Sequence, residues 1–223
     1  MQGIRHAMDH ASNNKEIFMR KLVAAAVAMT LGAASGTAFA DGNVFVNANA
    51  GASNYQVSNP LTGFDNTFSK RGTAGALRVG YRWKSVVDFG VEAGYGYLGN
   101  TIARATYDDG STERLALKTR GWLLGGNLNY NITDQWYISG RAGWFRARNL
   151  YQDRFLDANY AAGSFSDRSA TTGTGEYLGV GAGYNITKAF SVGLAYDRYH
   201  TPGNVGYDGI AIDMYSVQGE YRF

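Results

Sequence analysis

The sequence predicts an all-β fold, a transmembrane antiparallel up-and-down β-barrel of eight strands with short turns at one end and longer loops at the other. Three observations carry this expectation. Apolar and polar residues alternate with period 2 over long stretches, most clearly from Leu77 to Tyr97, which sends successive side chains to opposite faces of a strand. A half-buried strand of a soluble sheet alternates in the same way, but here the minority face interleaves Gly with Arg, Asp and Glu. Such residues suit a narrow polar interior, with aliphatics and aromatics left to face lipid. Finally, aromatic residues gather at the strand ends, where amphipathic rings settle at headgroup depth.

The chain opens with a removable address. Arg20 and Lys21 precede an apolar run from Leu22 to Leu31, and small residues lead to Ala38-Phe39-Ala40. A basic start, a short apolar core and an A-x-A site make an export signal over 1–40, with cleavage between Ala40 and Asp41. The apolar run is shorter than the roughly 20 residues of a spanning helix. Residues 1–18 read as an upstream extension, with Met19 as a second candidate start. Residues 41–223 form the barrel, and the last strand-like stretch ends with the chain.

Removing the leader leaves 17 basic and 16 acidic residues, so the mature charge is near neutral. No clustered basic face of the kind nucleic acid requires is evident, and no nucleic-acid partner is expected. The chain has no cysteine, which excludes disulfides, thiol catalysis and zinc–thiolate sites. Metal-ligand spacing is absent as well, so no metal or other cofactor is expected.

The first strand runs from about Asn43 to Tyr55, with Val44, Val46, Ala48, Ala50 and Ala52 on one face and Asn47, Asn49, Gly51 and Ser53 on the other. Asn54 to Arg71 reads as a polar loop. The next two strands form the hairpin 77–97 around a tight turn at Lys84–Val86. Its outward face is Leu77, Val79, Tyr81, Trp83, Val87, Phe89, Val91, Ala93, Tyr95 and Tyr97. A register pairing Trp83 with Val87 also pairs Arg82 with Asp88 and Arg78 with Glu92, all on the inner face. Asp108-Asp109-Gly110, within 99–118, is turn chemistry at the tip of a projecting hairpin.

The fourth strand sets Trp122, Leu124, Leu128 and Tyr130 outward against Gly121, Gly125, Asn127 and Asn129. After the turn 131–134, the fifth sets Trp136, Ile138, Ala142 and Trp144 against Tyr137, Ser139, Arg141 and Gly143. A long loop is expected over 149–172. In the sixth, Leu178, Val180, Ala182 and Tyr184 oppose Gly179, Gly181 and Gly183. In the seventh, Phe190, Val192, Leu194 and Tyr196 oppose Ser191, Gly193, Ala195 and Asp197. Residues 200–209 form the last outer loop, and the eighth strand ends at Phe223. Eight strands of about 11 residues, tilted near 45°, span roughly 25 Å of apolar band.

Tyr81, Tyr130 and Tyr184 each end a strand before a short turn, and the last two head the same tetrapeptide, Tyr-Asn-Ile-Thr. With Trp83, Trp136, Phe190, Tyr221 and Phe223 they read as an aromatic girdle at the short-turn end. Tyr95, Tyr97, Trp122 and Trp144 contribute to the opposite one. Inside, Arg78, Arg82, Asp88, Glu92, Arg141, Glu220 and Arg222 are expected to join in an ionic network that plugs the barrel.

The closing run Met214-Tyr215-Ser216-Val217-Gln218-Gly219-Glu220-Tyr221-Arg222-Phe223, the Tyr-Asn-Ile-Thr-Asp turn and the strand count resemble the OmpA-like and OmpX-like outer-membrane barrels. The resemblance implies the outer membrane of a Gram-negative cell, short periplasmic turns, and lipid with lipopolysaccharide as surroundings. It also implies that Phe223 is an assembly signal read by the outer-membrane assembly machinery; strand addition to an unpaired edge makes that physically reasonable. Some relatives modify lipid A with a His and a Ser two residues later in the last outer loop. Here His200-Thr201-Pro202-Gly203-Asn204 puts a proline at the serine position, and Met214 stands where a carboxylate would be expected. No catalytic residues are therefore assigned. The expected function is membrane structure or cell-surface adhesion, with a host-surface or phage ligand at the outer loops. A narrow pore is the first alternative and a lipid A-modifying enzyme the second.

Overall fold

The computed structural model describes residues 42–61, 65–158, 163–201 and 209–223. The expected leader with its Ala40–Asp41 cleavage point lies outside them, as does most of the last outer loop. Nine strands follow in order: β1 (Gly42–Gln56), β2 (Asp65–Ser69), β3 (Arg71–Trp83), β4 (Asp88–Thr106), β5 (Thr112–Asn131), β6 (Trp136–Leu156), β7 (Phe165–Asn185), β8 (Phe190–Thr201) and β9 (Ile210–Arg222). Each strand pairs antiparallel with its neighbour, and β9 returns to β1, so β1 and β3–β9 close an eight-stranded ring. Closure pairs the backbone within the wall and removes the free edges of a sheet.

The ninth strand corrects the expected loop 54–71. β2 pairs with the outer end of β4, from Asp65↔Thr106 to Ser69↔Ile102, and prolongs the line of β3 past Lys70. The loop expected over 149–172 is likewise mostly hairpin, since β6 runs on to Leu156 and β7 starts at Phe165. Beyond the apolar band each strand face mixes apolar and polar residues, as with Leu150, Gln152 and Arg154 on one and Tyr151, Asp153 and Phe155 on the other, so the period-2 signal fades while the ladder continues. Rings hold its tip: Phe155 stacks on Phe165 with centroids 5.7 Å apart, and Tyr107 lies 6.3 Å from Phe155.

Face assignments follow from parity. Leu77, Phe89, Val91, Trp122, Leu124, Leu128, Trp144, Leu178, Val180, Leu194 and Val217 are exposed, whereas Asn47, Asn49, Arg78, Glu92, Asn127, Asn129 and Asp197 are buried. This is the reverse of a soluble domain and suits a wall solvated by lipid. One position inverts the parity. A bulge separates the pairs Tyr97↔Arg120 and Asn100↔Lys118, and Gly99 sits there with φ +79°, a left-handed conformation that only glycine adopts cheaply. Even positions point inward up to buried Leu98, and odd positions do so from Thr101 onward.

The repeated tetrapeptide makes two matching turns. Thr133 Oγ1 accepts from Gln135 N and Trp136 N at 3.2 and 3.0 Å. Thr187 Oγ1 accepts from Ala189 N and Phe190 N at 3.2 and 2.9 Å. The β3–β4 turn differs from expectation: the register pairs Trp83 with Phe89, Arg82 with Gly90, Gly80 with Glu92 and Arg78 with Gly94. The reason is Asp88, whose Oδ1 accepts from Ser85 N at 2.9 Å and so closes a longer turn. The shift is two residues, and every side chain keeps its face.

Candidate functional site

The barrel interior concentrates the chain's buried charge. β3 delivers Arg78, which is 1% exposed. Its Nη1 donates to Asn49 Oδ1 at 2.6 Å and its Nη2 to Tyr199 OH at 2.9 Å. Glu92 Oε1 lies 3.5 Å from Nε, and Asp197 Oδ2 lies 3.8 Å from Nη2. Tyr177 OH donates to the same Glu92 oxygen at 2.8 Å. Five strands thus converge on one guanidinium, an arrangement that offsets the cost of burying it.

Asp197 links this centre to the far wall. Its Oδ1 is 2.7 Å from Arg141 Nε, and Arg141 Nη2 donates to Gln218 Oε1 at 3.2 Å. Gln218 Nε2 in turn donates to Tyr137 OH at 3.3 Å. The Asp197 carboxylate is fully buried, and neither of its oxygens accepts a hydrogen bond from the described residues, so charge holds it in place. Gly179 makes room for it, because a Cβ there would come within 2.0 Å of Asp197 Oδ1.

A second cluster lies toward the short turns. Arg82 forms a fork on Glu220, with Nη1–Oε1 at 2.7 Å and Nη2–Oε2 at 3.1 Å, and its Nε donates to Asn127 Oδ1 at 2.9 Å. The guanidinium lies 4.4 Å from the centre of the Phe45 ring. Arg222 completes the cluster through Glu220 Oε1 at 3.1 Å and Asn185 Oδ1 at 2.7 Å. Beyond it a cavity of about 380 Å³ opens at the turn end, lined by Phe45, Arg82, Asp88, Asn131, Asn185 and Arg222.

The structure therefore brings together Arg78, Glu92 and Arg141 in one group and Arg82, Glu220 and Arg222 in another. Asp88 joins neither. The Arg82–Asp88 pair expected from the sequence is corrected, since the two-residue shift carries Asp88 to the turn and Arg82 turns to Glu220 on β9. Asp197 was missed as a network member although it stands at an inward position of β8. Missed too was an apolar layer toward the outer end, where Tyr55, Leu98, Phe145, Tyr177, Tyr199, Ile212 and Met214 are buried together. Its signal was readable in Phe145, which continues the inward parity of Tyr137 to Gly143.

The girdle residues face outward near the short turns. Trp136 meets Tyr184 with ring centroids 5.2 Å apart, Tyr81 meets Trp83 at 5.1 Å and Tyr221 meets Phe223 at 4.9 Å. Tyr130 and Phe190 are also exposed. At the opposite end Tyr95 meets Trp122 at 5.2 Å. Phe223 N donates to Val44 O at 2.9 Å, so the chain's last residue is tied to the first strand.

The outer tips carry their own electrostatics. Gly110 N donates to Tyr107 O at 2.9 Å, and Gly110 has φ +82°, as the Asp-Asp-Gly turn requires. Ser111 donates to Asp109 through its N–H and its hydroxyl, both at 2.9 Å. These bonds, the N–H first, hold the carboxyl below its ordinary range. Tyr107 donates to Glu113, which pushes the phenol up. Burial, and then the carboxylates of Glu113 and Asp167, raise Asp153.

The family model described as the outer membrane protein beta-barrel domain matches residues 22–223. No curated protein matches the chain. Among solved structures, the chain is similar to Ail, the attachment invasion locus protein of Yersinia pestis, at 13% identity, covering 82% of this chain and 99% of that one with a TM-score of 0.48. It is similar to Neisserial surface protein A at 13% identity, covering 81% and 97%, TM-score 0.45. For OprG from Pseudomonas aeruginosa the identity is 14%, the coverage 82% and 96%, and the TM-score 0.45.

Proposed function

Since the chain belongs to the outer membrane protein β-barrel domain family, we propose that it is a closed, non-catalytic membrane anchor that carries a binding sheet at the cell surface. The buried Arg78 centre is the observation that carries the closed interior. Charged and aromatic side chains from opposite walls meet across the lumen there, and an eight-stranded barrel is just wide enough for side chains to fill. The reading includes export through the leader 1–40 and assembly guided by Phe223. It also treats His200, an exposed residue near the end of β8 rather than in the expected loop 200–209, as non-catalytic, because Pro202 in the sequence offers no nucleophile beside it.

The surface role is supported by the strands that overshoot the apolar band. β4–β7 continue past their barrel partners, and from Phe165 to Thr174 β7 pairs with β6 alone among the described residues. An exposed strand edge can accept a further strand through its backbone groups. Removing 150–170 and 101–117, with Asn149 joined to Thr171 and Asn100 to Lys118 by Asn-Gly turns, preserves the Asn149↔Thr171 and Asn100↔Lys118 registers while deleting most of that edge and the β5 residues that would otherwise be uncovered. Bacteria displaying the shortened barrel should lose adherence to a cultured epithelial monolayer while the barrel still enters the outer membrane. Undiminished adherence at equal surface levels would overturn the surface role.

A further inference from the structure

The free edge of β7 carries opposite charge on its two faces. Residues directly opposite in the β6–β7 ladder share a face, so Phe165 and Asp167 stand with Phe155 and Asp153 on the face that continues the barrel interior. Arg168 stands with Gln152 on the outer face. Phe165, Asp167 and Arg168 are all exposed, and the Phe165 ring stacks on Phe155 with centroids 5.7 Å apart.

On the inner face two carboxylates, Asp153 and Asp167, lie directly opposite one another. Asp153 Oδ1 is buried and accepts no hydrogen bond from the described residues. Beyond the bulge, the inner face of β4–β7 carries no Lys or Arg among the described residues. On the outer face Arg154, opposite Ser166, is the diagonal neighbour of Arg168. None of these four charged groups has an ion-pair partner among the described residues. Neighbouring like charges repel across a ladder, so the edge keeps one unoffset repulsion on each face.

A strand added at this edge would extend the ladder through its backbone, and its alternate side chains would meet Asp167 on one face and Arg168 on the other. Opposite charges directly across a ladder attract. A guanidinium opposite Asp167 also stands in diagonal reach of the Phe165 ring, whose face attracts cations. A second copy of this chain does not supply the pattern. Two copies paired along β7 about a two-fold axis bring like faces together, and the inner positions Phe165, Asp167, Ser169, Thr171 and Gly173 offer no cation. We propose that the β7 edge takes an extended segment of another protein in which an arginine is flanked by acidic residues. The arginine goes to the Asp167 face and the acids to the Arg168 face. This rests on the surface role given above and adds which strand the edge selects.

The test uses the full barrel in phospholipid nanodiscs and the fluorescent peptide Thr-Thr-Glu-Arg-Glu-Thr-Thr, followed by anisotropy. Wild type should bind it about tenfold more tightly than peptides with Glu-Glu-Glu or Arg-Arg-Arg at the centre, because each of those turns an attraction into a repulsion on one face. D167R should switch the preference to the Glu-Glu-Glu peptide, and R168E to the Arg-Arg-Arg peptide. R148E, the same charge change as R168E but away from the edge, should keep the wild-type preference. Equal binding of the three peptides, no binding of any, or a switch caused equally by R148E would overturn the proposal. So would an edge-dependent dimer of the barrel in detergent, since the occupant would then be a second copy. If the edge deletion abolishes adherence while the three peptides bind alike, this proposal fails alone. Adherence untouched by that deletion refutes the surface role beneath it.

Discussion

Replacing Asp197 by Asn tests the interior where it is most exposed to failure. The carboxylate lies 2.7 Å from Arg141 Nε and 3.8 Å from Arg78 Nη2, and it is fully buried. Charge centres about 4 Å apart attract by about 4 kcal/mol at an effective dielectric near 20. Breaking a buried pair costs about 3–5 kcal/mol, because the partner is left uncompensated. The amide dipole of Asn recovers part of this, so a loss of about 3 kcal/mol is expected. Adding Arg141→Met removes one stranded cation and should restore about half of that loss, a coupling well above the roughly 0.5 kcal/mol scatter of independent sites. Urea titration of the barrel in detergent, followed by tryptophan fluorescence and by gel migration without boiling, gives all four corners of the cycle. Additive effects would refute the claim that Asp197 holds the two arginines together.

The outer tips should respond to acid with opposite signs. Asp109 has a lowered pKa, so its contribution is present above the ordinary carboxylate range and is lost as pH falls through the lowered value. Asp153 has a raised pKa, so its contribution is complete below the ordinary range and is lost as pH rises through the raised value. Amide exchange, corrected for intrinsic rates, should show Ser111 losing protection only in strong acid while the β6–β7 hairpin gains protection on mild acidification; parallel losses would contradict both assignments. Deleting Phe223 should lower outer-membrane levels and leave unfolded precursor in the periplasm, with a smaller effect on the stability of barrel already folded. Normal levels of the truncated protein would remove its role in assembly.

What the sequence made legible was the wall. Period 2 told inside from outside along the eight barrel strands within the apolar band because lipid and lumen solvate the two faces differently, and the twin Tyr-Asn-Ile-Thr segments marked two matching turns. Register was not legible at Trp83–Phe89, because the side-chain alternation is unchanged by a shift of two and only the Asp88–Ser85 hydrogen bond selects the longer turn. The outer hairpins were hidden for a related reason. Where each face mixes apolar and polar residues, as from Leu150 to Leu156, the sequence no longer alternates and resembles a loop. Glu220 as the partner of Arg82, and Asp197 as the partner of Arg141, join residues far apart in the chain. Parity places such groups inside, but only ring closure says which of them meet.

Conductance of the purified wild-type barrel in planar lipid bilayers tests the closed interior most directly. With Arg78 held among Glu92, Asp197, Asn49 and Tyr199, and with Tyr55, Leu98, Phe145 and Met214 packed beyond it, insertion should produce no steady current in simple salt. A large, sustained ohmic conductance from correctly inserted, heat-modifiable barrels would contradict the account.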